Sequence, residues 1–236
     1  SLIEAAYDSA LVAFDPLLPE LIALKDEASI APETREAIAH LSGWDTRFAL
    51  DSTQTSLAVF WGEALMSEAR PLAAAANEDI YDYLASQITD EQRIAALENA
   101  MATLNDGFGS WQVPWGEINR YQRNDGAIVQ QFDDSKPSLP VAFASARWGS
   151  LASFGSRSYP GTNRLYGTSG NSFVAAVEFG EKVRAKAVTV GGLSNDPASP
   201  HFDDQAALYT EGRFRDVLFY PEQLEANLER EYHPGE

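Results

Sequence analysis

Glycine is distributed very unevenly along this chain. Only Gly43 and Gly62 precede Gly107, and the other fourteen glycines lie from Gly107 onward. Glycine weakens a helix interior and serves turns, bulges and close backbone approaches, so the two parts must fold differently. Composition shifts near Asn105-Asp106-Gly107. The expected organisation is α+β: a helical region over 1–105, then a region of strands, helices and loops over 106–236.

Charge divides at the same place. Residues 1–105 carry 18 acids and 5 bases, a net of −13; residues 106–236 carry 17 and 12, a net of −5, and together these make −18. Such an excess argues against nucleic acid, whose binders neutralise phosphates with Lys and Arg, and against anionic lipid. With 44% apolar residues the chain can form a core. No apolar run is long enough to span a bilayer. The absence of cysteine removes disulfides, thiolate nucleophiles and thiolate metal sites. The acids of the first part are expected on solvated helix faces.

In the first part, Leu2, Ile3, Ala6, Tyr7, Ala10, Leu11 and Phe14 fall at helical spacing and predict one helix ending near Pro16. A short helix is expected around Leu21–Leu24, and another from Pro32 to a stop at Gly43. A longer one should bury Leu57, Phe60, Trp61, Ala64 and Leu65 from about Thr53 to Ala69, halting before Pro71. Thr89-Asp90-Glu91-Gln92 has the capping-box pattern, with Ile94, Leu97, Met101 and Leu104 as the apolar stripe behind it.

In the second part, 173–179 is mostly apolar and reads as a strand buried on both faces. Residues 183–190 form its hairpin partner, with Gly180 taking a positive φ in the turn between them. Residues 127–132, 139–146 and 216–219 are further strand candidates. Residues 149–170 read as an ordered surface loop, 199–212 as a helix with its lead-in, and Pro221 as the start of a terminal helix.

The chemistry-bearing residues are few. His40, His201 and His233 are the only histidines, and there is no G-x-S-x-G elbow. Gly167-Thr168-Ser169-Gly170 reads as a loop leading into the strand at Phe173. Gly191-Gly192 lacks the lysine and spacing of a phosphate loop. Asp196, His201, Asp203 and Asp204 are the densest potential metal ligands. Acids at a helix start are better explained by the macrodipole and by capping of free N–H groups, and that structural reading is favoured. His40 reads as a partly buried structural histidine and His233 as solvated.

Four stretches, in order, resemble the penicillin acylase family, which includes acyl-homoserine lactone acylases. They are Leu41-Ser42-Gly43-Trp44-Asp45, Trp111-Gln112-Val113-Pro114-Trp115-Gly116-Glu117-Ile118-Asn119-Arg120, the segment 167–179, and the run 191–205 with its Ser199-Pro200-His201-Phe202-Asp203-Asp204-Gln205 core. The resemblance implies the C-terminal portion of a large (β) subunit, whose helices and strands complete an αββα N-terminal nucleophile hydrolase core. It implies an exported, self-cleaving precursor, hence a periplasmic or secreted protein. Its serine opens the large subunit and cleaves an N-acyl amide, with its own α-amino group as base.

On that resemblance the catalytic residues lie upstream. Ser1 is rejected as the nucleophile, because Ser1-Leu2-Ile3-Glu4 opens an amphipathic helix where serine is a good cap. Asn119 and Arg120 are left structural or pocket-adjacent. No cofactor is expected in this chain; a structural calcium would be bound by upstream carboxylates. The expected partners are the remaining segments of the precursor and a small N-acyl substrate. The alternative is a self-contained α+β ligand- or carbohydrate-binding module, with Trp111, Trp115, Trp148 and Tyr159 available to stack on sugars.

Overall fold

The computed structural model describes residues 1–228, 230–233 and 235. Its contacts separate two compact units, one over 1–171 apart from Leu2 and the other over 172–236. The compositional boundary at 105/106 falls inside a helix.

The first unit is helical through Phe108. Its helices are α1 (Leu2–Ala6), α2 (Leu18–Ala23), α3 (Pro32–Ser42), α4 (Thr53–Ala76), α5 (Ile80–Ser86), α6 (Asp90–Phe108) and the short α7 (Trp115–Ile118). Leu57, Trp61 and Leu65 of α4 are fully buried beside Leu97 and Leu104 of α6, forming the centre of the core. The capping box of α6 is present: Gln92 N–H donates to Thr89 Oγ1 at 3.3 Å, and Thr89 N–H donates to Gln92 Oε1 at 2.9 Å. All the acids of 1–105 are exposed, which places the −13 of this region on solvated faces.

Three helical expectations need correction. The helix over 2–14 is broken after Tyr7. The backbone of 9–11 pairs instead with 46–48, with Leu11 N–H on Thr46 O at 2.8 Å and Phe48 N–H on Ser9 O at 3.0 Å. Asp8 secures the break by accepting from Ala10 N–H at 3.0 Å and Arg47 at 2.8 Å. The helix expected to stop before Pro71 runs on to Ala76. Pro71 removes one backbone donor, but Pro71 and Ser67 are both exposed, so water can satisfy the freed carbonyl. Finally, α5 is a helix that the sequence reading omitted; Asp79 caps it, accepting from Tyr81 N–H at 2.8 Å.

A four-stranded sheet in the order β2-β1-β4-β3 completes this unit: β1 (Asn119–Tyr121), β2 (Leu139–Pro140), β3 (Phe154–Arg157) and β4 (Leu165–Gly170). β1 and β4 are parallel, and β3–β4 is an antiparallel pair with an irregularity at Gly155/Ser156. The stretch 149–170 is therefore a hairpin and its surroundings rather than a loop. Residues 127–132 form no strand, and Ile128 there is fully exposed. Of 139–146 only Leu139–Pro140 is strand; beyond it Val141 N–H donates to Asn119 O at 3.0 Å, and the Asn119 side chain takes the Val141 and Phe143 carbonyls.

The second unit holds an antiparallel sheet, β5-β6-β7, of Phe173–Glu178, Arg184–Thr189 and Arg215–Asp216. The hairpin is present with Glu178 opposite Arg184. Gly180 is not among the glycines of positive φ. β5 is not buried on both faces: Phe173 is 61% and Val177 45% exposed within a strand that contains no fully buried residue. Residues 199–205 form turns that lead into α8 (Ala206–Thr210), which ends before Gly212 as expected, and α9 (Pro221–Glu225) starts at the expected proline.

Candidate functional site

In the first unit, one cavity of about 560 Å³ opens between α4, the 3₁₀ turn Ala146–Trp148 and the β3–β4 pair. Its walls are built by aromatic packing. Gly62 of α4 lets Trp148 approach the helix, since a β-carbon at 62 would stand 2.6 Å from Trp148 Cη2. Phe14 stacks on Trp148 at 4.8 Å between ring centroids. Trp115 donates its Nε1–H to Ala142 O at 3.0 Å. Phe154, at the start of β3, is buried among them.

The cavity's rim is polar. Arg147 forms an ion pair with Glu63, the single carboxylate among the lining residues. Ser145, Ser156, Arg157, Ser158, Thr168 and Ser169 complete the rim. The Ser156 hydroxyl donates to Asn119 Oδ1 at 2.6 Å. No histidine lines the cavity, and no lining hydroxyl donates to a basic side chain among the described residues. The arrangement can bind and orient a molecule, but it offers no paired nucleophile and base.

Asn119 and Arg120 sit behind this wall. Asn119 is fully buried; its amide donates to Val141 O at 2.9 Å and Phe143 O at 3.0 Å. Arg120 donates to Gly116 O at 2.7 Å and to Ser138 O at 2.6 Å. Desolvation, with the Arg164 charge nearby, lowers the Arg120 pKa. Both residues brace the turn from α7 into β1. Further along, Tyr166 donates to Asp134 Oδ1 at 2.8 Å and stacks on Phe132 at 4.9 Å. Burial first, then the bond to Asp134, pushes the Tyr166 pKa up to about 12.

The sequence candidates are scattered. Ser1 caps α1: its hydroxyl accepts from Glu4 N–H at 3.3 Å, and its α-amino group pairs with the Glu4 carboxylate. His40 is half-buried with Nε2 at 2.8 Å from Thr53 Oγ1, and desolvation lowers its pKa. His233 is exposed. In the second unit, His201 Nδ1 meets Asp204 Oδ2 at 2.9 Å, while Asp196 Oδ1 accepts from Ala198 N–H at 2.9 Å. Asp203 is exposed, and its carbonyl accepts from Ala206 N–H at 2.9 Å as α8 begins. Among the described residues, no three His, Asp or Glu side chains come together to hold a metal ion. The 167–170 stretch is strand β4.

Gly192 has a steric task. A β-carbon there would stand 2.2 Å from His201 O, so only glycine admits the turn that follows. Gln205, the last residue of the 199–205 core, is the brace of this region. It is buried, and its Oε1 accepts from Thr189 N–H and from Arg215 Nε, both at 3.1 Å.

Three of the four aromatics offered for sugar stacking are buried: Trp111, Trp115 and Trp148 are at most 7% exposed. Tyr159 is half-buried against Phe132 at 4.6 Å. A carbohydrate-binding face made of these rings is therefore not present. The cavity residues of β3 and β4 were missed because 149–170 reads as polar loop. Pro160-Gly161 between two short apolar-bearing runs is the hairpin signal that could have found them.

Comparison with known proteins adds two findings. A solved structure, the thermostable penicillin G acylase from Alcaligenes faecalis, matches with 14% identity and a TM-score of 0.46 over 96% of this chain. The chain spans 47% of that protein's length. A sequence model of the penicillin amidase family matches residues 1–226. No helix among the described residues is long and apolar enough to cross a membrane. With nearly its whole length matched by that family model, this α+β chain belongs to the penicillin amidase family of hydrolases.

Proposed function

We propose that the chain is the C-terminal part of the large (β) subunit of a serine-type N-acyl amidohydrolase. Its helices and strands would flank and complete an αββα core begun by upstream segments of the same precursor. The observation that carries this reading is the family match over 1–226 in a chain whose Ser1 serves as a helix cap.

The reaction would run at an upstream N-terminal serine. Its hydroxyl adds to the amide carbonyl while its α-amino group takes the proton. The C–N bond then breaks, the amine leaves with that proton, and an acyl ester remains. Water hydrolyses the ester, releasing the carboxylic acid and restoring the serine. An α-amino group with a pKa near 8 is available as base close to neutral pH. The substrate is an N-acyl amide, a class that includes N-acylated β-lactam nuclei and acyl-homoserine lactones. We place the enzyme in the periplasm or outside the cell, assembled from a self-cleaved precursor, with any calcium held by upstream carboxylates.

Chromogenic N-acyl anilides of graded acyl length test this. The 236-residue chain and its Ser1→Ala variant are both expected to be inactive, and the longer precursor active after self-cleavage before a serine. Hydrolysis by the chain alone that disappears in Ser1→Ala would overturn the reading.

A further inference from the structure

The tripeptide Asn-Asp-Gly occurs at 105–107 and again at 124–126, and these hold the chain's two Asp-Gly pairs. At Asp-Gly an aspartate can react with its own backbone, because glycine has no β-carbon to shield its nitrogen or restrict rotation. The glycine nitrogen attacks the aspartate Cγ, a C–N bond forms, and the carboxyl OH leaves as water with the amide proton. The product is a five-membered succinimide. Water then opens the ring at either carbonyl. One opening restores aspartate. The other gives isoaspartate, whose chain runs through the β-carboxyl with one extra backbone methylene and a free α-carboxylate. The water lost in closure is regained in opening, so no other reactant is needed.

The fold treats the two copies differently. Asp106 and Gly107 lie inside α6. A helix commits each N–H to the i→i−4 ladder and fixes ψ at about −42°, which keeps the following nitrogen away from the side-chain Cγ. This end of α6 is also tied down: Gly109 N–H donates to Asn105 O at 2.8 Å, and Gly107 O accepts from Asn163 Nδ2 at 3.0 Å. Asp106 is exposed, so lack of water is not what protects it.

Asp125 and Gly126 lie in 122–132, which contains no helix or strand. Within 124–132 no backbone group bonds to another backbone group among the described residues. Gly126 is exposed. Asp125 Oδ1 accepts from Ala127 N–H at 2.9 Å, a bond that folds the carboxyl back across the intervening peptide and holds Cγ on the side of the Gly126 nitrogen. Such pre-positioning is the main lever on an intramolecular reaction. The ends of the excursion are clamped. Buried Gln122 donates from Nε2 to Asp133 O at 2.8 Å and accepts from Asp133 N–H at 3.0 Å. An added methylene at 125 is therefore absorbed between these fixed ends.

We propose that Asp125 is a site of isoaspartate formation in the folded protein, that α6 protects Asp106 from the same reaction, and that the fold tolerates the product. The site is independent of the proposed amide hydrolysis, since it uses no residue of that reaction.

Ageing the whole chain in neutral buffer tests it. Isoaspartate is counted by methyl transfer from S-adenosylmethionine with an isoaspartyl O-methyltransferase, and located by mass spectrometry of the digested chain. In the folded chain, product at 125 should accumulate roughly ten-fold or more faster than at 106. In concentrated urea, where the two tripeptides are equivalent, the rates should converge. Gly126 is not among the glycines of positive φ, so Gly126→Ala can be accommodated and should slow the reaction at 125 several-fold. The aged chain should keep the urea midpoint of the fresh one. Equal rates at 106 and 125 in the folded chain, no product at 125, a difference that persists in urea, a wild-type rate in Gly126→Ala, or a lowered midpoint would each overturn the proposal.

Discussion

Trp148 presses the benzo end of its indole against Gly62 of α4, leaving no room for a β-carbon: one placed there would stand 2.6 Å from Cη2. Gly62→Ala gains helix propensity, about 1 kcal/mol, but overpacks a site where such insertions cost roughly 1–3 kcal/mol. A net loss of about 1 kcal/mol is expected in urea unfolding. Adding Trp148→Phe to Gly62→Ala should recover part of it. The indole Nε1–H has no acceptor among the described residues to lose.

Thr89 and Gln92 form a reciprocal cap at the start of α6, the helix packed most closely on α4. Thr89→Ala removes the side-chain acceptor for Gln92 N–H and should cost about 1 kcal/mol. Thr89→Ser should restore most of the loss, and the urea midpoint measures both.

Asn119 joins three groups: Val141 O, Phe143 O and the Ser156 hydroxyl. Asn119→Ala removes three hydrogen bonds at a fully buried side chain and should destabilise by about 2–4 kcal/mol. Asn119→Asp should be at least as damaging, since a carboxylate would face two carbonyl acceptors. Ser156→Ala is expected to cost only about 1 kcal/mol. Thermal unfolding of the three variants orders them.

His40 has a folded pKa held below its ordinary value, chiefly by desolvation and against the opposing pull of Glu36. The unfolded chain therefore binds more protons in the window between the two values. The stability His40 contributes is present above its unfolded pKa, about 6.5, and is lost as pH falls through the lower folded value. Urea midpoints measured from pH 7.5 downward should fall, and His40→Gln should flatten that slope. An unchanged slope in the variant would remove His40 as its cause.

The helices were legible where local signals agreed. Pro32 and Gly43 bracket α3, and the Thr89–Gln92 pattern starts α6, because a cap or a proline acts on its own first turn. Pro71 misled for the opposite reason: its penalty depends on whether the freed carbonyl meets water, and exposure is a tertiary property. The break after Tyr7 was equally hidden, since the competing backbone partners lie at 46–48. β5 reads as a core strand because it is apolar, yet periodicity cannot say what covers a face.

The site divides in the same way. Residue order alone carried the family: four short stretches between Leu41 and Gln205 were enough to indicate it, and the match over 1–226 agrees. The sequence also determined the acidic helical half, because charges without partners must face water. Only the tertiary structure decided where the cavity lies and what lines it. Phe60, Trp115, Trp148 and Arg157 come from four separate segments. Local propensity acts over a few residues, whereas a binding wall is made by contacts between segments far apart in the chain.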